Sequence, residues 1–327
     1  MSFRSLEWAR RLAGFVFLTV AAVVRAQTNP PDLDPEDKAK IAAHYLRMRD
    51  EVRAKEAVER SRTLLHTAAF RDALHNTATT LPRLFVTADR FVTATGIPFD
   101  AFQLGLPHGT MRGGAKVIVF GEVTDTAGKV VASVEEPAAV SESKNDRFVE
   151  RILFLPVSKG SAAFGIAAGG EVVAVGRAPF DADDMIATSP GVSRLIVSNN
   201  IFNLTQMQTP FEPFAFGGTK VIPKPDRAFH RNDEMWLFEE IRSPNVGADG
   251  NPRLTMRITI ESSGKAVANT TLPAEASPLK GVAGHFGIGT TVDLSALSPG
   301  EYTVRLTVID ELAKKSYEQS QSITILD

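Results

Sequence analysis

The chain has 327 residues, a formal net charge of −2 and no cysteine. It lacks the basic footprint of a nucleic-acid binder, and the missing cysteines exclude disulfide staples, thiol chemistry and the acylated cysteine of a lipoprotein. The length allows two ordinary domains, with 20 phenylalanines as the main large apolar stock for their cores.

Arg4, Arg10 and Arg11 precede an apolar run over residues 12–24, and a small-residue site follows. This is the order of a secretory signal over residues 1–26, with cleavage expected between Ala26 and Gln27. The competing reading, a membrane anchor, falls short of the ~20 apolar residues that a spanning helix needs. Leu12-Ala13-Gly14 after the paired arginines fits twin-arginine export poorly, which leaves general secretion. No later stretch approaches spanning length. The mature chain is therefore expected to be exported, periplasmic or extracellular, with no transmembrane segment.

Residues 27–80 read as a helical segment. Pro30, Pro31 and Pro35 form a short extended leader, and a charged, proline-free stretch then runs to about Thr77. Ile41, Tyr45, Met48 and Val52 recur at helical spacing, and Glu36/Lys40, Glu51/Lys55 and Glu56/Arg60 stand four apart in the favourable order. One long helix or two shorter ones would satisfy this pattern. The stripe falters between Lys55 and Thr63, which argues against a coiled coil. An amphipathic segment must bury its apolar face somewhere, so Ile41, Tyr45 and Met48 are binding candidates, against the following domain or against a partner.

From about Arg83 the period changes to two. Leu254, Met256, Ile258 and Ile260 alternate with Thr255, Arg257, Thr259 and Glu261, and Tyr302, Val304, Leu306 and Val308 alternate with Thr303, Arg305 and Thr307. Such strands have one buried and one wet face, as in an antiparallel sandwich. Residues 116–123 and 171–175 are apolar on both faces and are expected to be central strands. Turn chemistry at residues 126–128, 248–250 and 298–300 separates the strands.

A repeat is visible. Gly128-Lys129-Val130-Val131-Ala132 returns as Gly264-Lys265-Ala266-Val267-Ala268, and Val157-Ser158-Lys159-Gly160 as Leu297-Ser298-Pro299-Gly300. Duplication of one sandwich accounts for this, with copies at residues 81–180 and 190–327.

Gly191-Val-Ser-Arg-Leu-Ile-Val-Ser198, Glu234-Met-Trp-Leu-Phe-Glu239 and the ending Leu297-Ser-Pro-Gly-Glu-Tyr-Thr-Val-Arg-Leu-Thr-Val-Ile-Asp310 resemble the tail of secreted bacterial VWFA-related and GWxTD-domain proteins. The resemblance covers roughly residues 80 to 327. It implies two tandem Ig-like antiparallel β-sandwiches, preceded here by a short α-helical segment, in a mainly β protein. The GWxTD pentapeptide and a VWFA domain with its Asp-x-Ser-x-Ser are absent, so no functional residue of the family is carried over.

Reactive constellations are sparse. The six histidines show no metal-ligand spacing. Asp181, Asp183 and Asp184 offer carboxylate oxygens to calcium, although an acidic turn is ordinarily just solvated. Two Ser-x-x-Lys matches, at Ser141 and Ser277, lack their companion motifs, and no Gly-x-Ser-x-Gly elbow is present. The glycine-rich residues 109–114 lack the Lys-Ser/Thr end of a phosphate loop and are expected to be a long hairpin turn. Trp236 stands among large apolar residues and is expected in a core or between sheets. Phe211, Phe214 and Phe216 sit in a proline-rich loop that either plugs a domain interface or forms an exposed patch.

The expected function is a non-enzymatic envelope protein, with sandwiches serving as a protein-interaction or spacer module. It needs no cofactor and has an envelope or extracellular protein as partner. The alternative is an envelope glycan- or ligand-binding module.

Overall fold

The structure is a computed structural model. It describes residues 68–76, 80–92, 98–107, 109–144, 146–182, 190–204, 213–216, 219–279 and 284–327. The expected signal and the stripe residues Ile41, Tyr45 and Met48 lie outside these. The described chain is mainly β, with antiparallel sheets and one helix, α1 (Ala68–His75).

The first group of strands makes two four-stranded antiparallel sheets. β1 (Phe85–Val92), β2 (Pro98–Leu106), β5 (Ser141–Ser143) and β6 (Asp146–Leu153) lie in the order β1-β2-β6-β5. β3 (Lys116–Asp125), β4 (Val130–Ala139), β7 (Lys159–Ala168) and β8 (Glu171–Asp181) lie in the order β4-β3-β7-β8. Val86, Phe102, Leu104 and Val149 of the first sheet share one apolar core with Val119, Val123, Phe164 and Ile166 of the second. Residues 109–114 join β2 to β3 across the two sheets, a crossover and not the expected hairpin turn. Their glycine-rich backbone is tied down by Glu142, which accepts a hydrogen bond from the Gly113 amide at 3.1 Å.

Two phenylalanines lie flat across glycines of the neighbouring strand. Phe120 is paired with Gly165 and Phe164 with Gly121, and a Cβ on Gly165 would come within 2.2 Å of the Phe120 ring. Phe164 fills the core, while Phe120 points out of the sandwich and is covered by α1. Phe70 stacks on it at 4.3 Å between ring centres, 10° from parallel, and Leu74, Ala167 and Val175 complete this small cluster. The helix ends on Arg177, whose guanidinium donates to the Leu74 carbonyl, one of the carbonyls a helix leaves without an internal partner.

This cover corrects one sequence expectation. Residues 116–123 and 171–175 are apolar on both faces, and β3 is indeed central, but β8 is an edge strand. Its second apolar face is buried by a helix, and its free edge is partly closed by residues 82–84. There the Leu84 amide donates to the Val175 carbonyl at 2.8 Å.

A second group follows the same strand order. β9 (Gly191–Val192), β10 (Ile196–Ser198), β15 (Glu234–Arg242), β18 (Ala276–Pro278) and β19 (His285–Asp293) form one sheet, with β10-β15-β19-β18 in sequence and β9 also on β15. β14 (Ala228–His230), β16 (Leu254–Ser262), β17 (Lys265–Ala274), β20 (Gly300–Asp310) and β21 (Lys315–Leu326) form the other, ordered β14-β21-β20-β16-β17. The alternation in β16 is expressed as written in the sequence: Leu254, Met256, Ile258 and Ile260 are buried in a common core with Met235, Leu237, Val304, Leu306 and Val308. The hairpin between β16 and β17 turns on Ser263 and Gly264, both at positive φ (51° and 74°), the geometry that matches strand twist in two-residue hairpins. One extra residue bulges from each corresponding hairpin, Val131 opposite Val123/Thr124 and Val267 opposite Ile260/Glu261.

Between β10 and β15 the chain leaves this group. β11 (Ile201–Asn203), β12 (Ala215–Phe216) and β13 (Thr219–Val221) form a small sheet of their own, and residues 219–227 then run as a strap before β14 pairs parallel to β21. Among the described residues no helix is long and apolar enough to cross a membrane.

Candidate functional site

All nine residues of β2 are buried. An antiparallel strand at a sandwich surface normally has one wet face, so a second layer must cover the side away from the core. Strand register puts Asp89 of β1, Gln103 and Gly105 of β2, and Asp146 and Glu150 of β6 on that outer side. The strap and the start of the second strand group form the cover. Pro225 sits on Gly105, Lys224 Nζ donates to Asp146 Oδ1 at 2.7 Å, and Lys220 Nζ reaches Glu150 at 3.3 Å and the Pro213 carbonyl at 2.6 Å. Arg194, just ahead of β10, lies 3.8 Å from Asp89 and donates to the Ala88 carbonyl at 2.7 Å.

The charges at this junction are sorted by origin. The carboxylates of Asp89, Asp146 and Glu150 come from the first group, Arg194 stands just ahead of β10, and Lys220, Lys224 and Arg227 come from the intervening strap. Both partners of the Lys224–Asp146 pair are only 8% exposed. A buried pair of this kind adds little net stability over apolar packing, but stranding one member costs about 3–5 kcal/mol. The sorting therefore specifies a single docking arrangement more than it strengthens it. Burial pushes the Asp89 carboxyl above the ordinary carboxylate range, against the opposing pull of Arg194 and Arg227. Burial also lowers Arg227, followed by repulsion from Arg194. Arg227 and Phe214 are both held at φ 56°, a left-handed conformation uncommon outside glycine.

Beside the charges lies an apolar cluster. Phe91, Phe99 and Ala101 of the first group meet Ile196 and Phe238 of the second, with Phe214 and Val221 of the intervening segment between them. Phe214 is fully buried and stands edge-on to Phe91 at 5.1 Å. It thus occupies the interface of the two groups. Phe211 and the side chain of Phe216 lie outside the described residues. Trp236 is half-buried on the outer side of β15, stacked on Phe238 at 6.0 Å, and its indole N–H donates to Glu234 at 3.2 Å.

A polar cleft of about 130 Å³ opens at the rim of the junction, lined by Lys144, Asp146, Asn199, Lys224, Asp226 and His230 among others. Its charges answer one another. Lys224 is held between Asp146 and Asp226, Lys144 donates to the Asn199 carbonyl, and Asp233 accepts from the His230 amide at 2.9 Å. Among the described residues that line it are Lys, Asp, Asn and His side chains and no hydroxyl or thiol.

Of the calcium candidates only Asp181 lies among the described residues. Asp181 is exposed and paired with Lys159 at 2.9 Å, while Asp183 and Asp184 lie outside the described residues. Among the described residues no group of three or more His, Asp or Glu is placed to hold a metal ion. The sequence does not single out Lys220 and Lys224, because lone charges near prolines look like solvated loop, or Arg194 and Asp89, because single charges in short apolar stretches look like the wet face of a strand. The available signal was Val221-Ile-Pro-Lys-Pro225, where a lysine is hemmed by apolar residues and prolines. Glu239 was also missed. It takes a core-facing position of β15 between Leu237 and Ile241 and is fully buried.

No protein-family model matches the chain, and no curated protein matches it. Among solved structures, the crystal structure of red sea bream transglutaminase is similar over 76% of this chain and 32% of its own length, at 7% identity and a TM-score of 0.22. The chain thus spans about a third of that enzyme, and a likeness this loose carries no argument about activity.

Proposed function

We propose that this is an exported, non-enzymatic envelope protein in which two tandem Ig-like β-sandwiches, residues 81–180 and 190–327, form one stiff spacer that presents surfaces to a protein partner. The observation that carries the reading is the junction, where acids of the first strand group are buried against cations of the strap and of the chain just ahead of β10. Domains joined this way hold a fixed angle, as a spacer must, whereas ordinary interdomain contacts permit relative motion. Duplication is supported by the common strand order and by the matched bulges at Val131 and Val267. An Ig-like assignment is supported by the Tyr302 hydroxyl, which donates to the Ser298 carbonyl at 2.8 Å, four residues upstream at the start of β20. Export rests on the arginines and apolar run of residues 1–26.

A protein partner is favoured over a glycan because sugar rings stack on exposed aromatic faces. Trp236 has one face on Phe238, and the outer side of β16 and β20 carries Thr, Arg and Glu. Affinity capture from a native envelope extract tests the reading, with residues 27–327 run beside a variant lacking residues 27–80. A specific protein retained by the longer chain supports it. Recovery of polysaccharide without protein would replace it with the glycan-binding alternative.

A further inference from the structure

Arg90 is satisfied as a part-buried arginine should be. Its Nε and Nη2 donate to the two oxygens of Asp100 at 2.8 and 3.1 Å, and Nη2 also reaches the Val157 carbonyl at 2.7 Å. Three arginines nearby are not held in this way. Arg194 donates to the Ala88 carbonyl, but its Nε stands 3.8 Å from Asp89, too far for a hydrogen bond. Arg227 donates from Nε and Nη1 to the Gln321 side-chain oxygen, a neutral acceptor, at 3.3 and 2.7 Å. The Arg83 guanidinium lies 5.5 Å from the centre of the Phe85 ring and donates to no described residue.

The fold gathers these groups along one side of β1. Phe85 and Asp89 share its outer side, and Arg83 stands over Phe85 at the start of it. Phe85 and Pro225 both abut Gly105, so the strap crosses at this level. Arg227 follows Pro225 by two residues, with its carbonyl held by the Thr324 amide at 3.0 Å. It comes within electrostatic reach of both ends of the row: Asp89 attracts it, while Arg194 and Arg83 repel it. Three guanidiniums thus answer to one carboxylate, on a surface where Arg83 is exposed and the Arg194 side chain is 31% exposed.

We propose that Arg83, Arg194 and Arg227 form a docking surface for the carboxylates of an acidic segment of a partner protein. The unused N–H groups of Arg83 and Arg227 match a carboxylate in both shape and charge. From Phe85 to Asp89 the row extends roughly 13 Å at the rise of a strand, the span of several residues of an extended peptide and more than a single small anion fills. Asp89 limits the affinity, because it competes with an incoming carboxylate for Arg194 and Arg227. The inference rests on the protein-partner reading only in naming the source of the carboxylates, and a direct titration decides it whatever the envelope extract yields.

Fluorescence anisotropy of a labelled hexaglutamate peptide, titrated with the full chain at low ionic strength, tests it, with thermal unfolding confirming that each variant is folded. The expected result is saturable binding that weakens as salt is added. R83Q and R227Q should each weaken it about threefold or more, and D89N should strengthen it by about as much. R257Q, on the exposed side of β16, should leave it unchanged. No binding at low salt overturns the proposal, as does binding that R83Q and R227Q leave intact, that R257Q weakens equally, or that D89N weakens.

Discussion

Gly105 and Pro225 lie in such close contact that a Cβ on the glycine would sit 2.0 Å from the proline Cβ. One belongs to β2 and the other to the strap, so here the second layer packs directly on the backbone of the first sheet. Gly105→Ala should therefore force the strap away and cost about 1–3 kcal/mol, as overpacking does elsewhere. In a Pro225→Gly background, where the obstructing ring is absent, the same substitution should cost much less. Chemical denaturation of the four variants measures the coupling directly.

Lys224→Met should be severe, on the order of 3–5 kcal/mol, because it leaves the Asp146 carboxylate buried opposite an apolar chain. Lys224→Met combined with Asp146→Leu should recover most of that loss. Denaturant midpoints distinguish this from simple additivity, under which the double variant would be the least stable of the three.

The raised pKa of Asp89 fixes the sign of one pH effect. The folded protein holds that proton more tightly than the unfolded chain, so this group favours folding at low pH and its contribution is lost as pH rises through the folded pKa. Asp89→Asn should flatten the stability profile over that window and leave neutral-pH stability unchanged or slightly higher. Thermal unfolding from pH 4 to pH 8 shows the difference in slope between variant and parent.

α1 has eight residues, too few to persist without tertiary contacts, and its apolar contacts run through Phe70 and Leu74. Phe70→Ala should cost about 3–5 kcal/mol if the helix stays docked, and less if it simply detaches. Detachment would be read in hydrogen exchange as lost protection confined to residues 68–76 and the outer side of β3 and β8. Loss of protection throughout the first core would instead mean that the helix is integral to that core.

The sequence made the strands of the second group legible because their two faces differ. In β16, and in β20 from Glu301 to Thr307, the outer side is hydroxyl or charged at every other position, and period two follows from strand geometry alone. β8 was misread because burial by a helix and burial within a sheet leave the same apolar trace on a strand. The Gly128 and Gly264 segments did mark matching hairpins, since a turn demands the same local chemistry in either place. The junction was not legible for a different reason. Lys224 and Asp146 are 78 residues apart, and nothing local distinguishes a lysine that meets a distant carboxylate from one that meets water. Phe214 was singled out as a contact residue because three phenylalanines among prolines are unusual in a loop, but its neighbours Phe91 and Phe238 had to come from the fold.

The strap that covers β2 is encoded between β10 and β15, after all of the first strand group and before most of the second. A chain made from its N-terminus therefore presents the strands to be covered before the covering segment. Lys220, Lys224 and Arg227 follow Glu150, Asp146 and Asp89 in the sequence, and β15 follows the strap. A folded earlier half would serve as the mould for the later one, so the fit of the second half is conditional on the first, in the direction in which the chain is read.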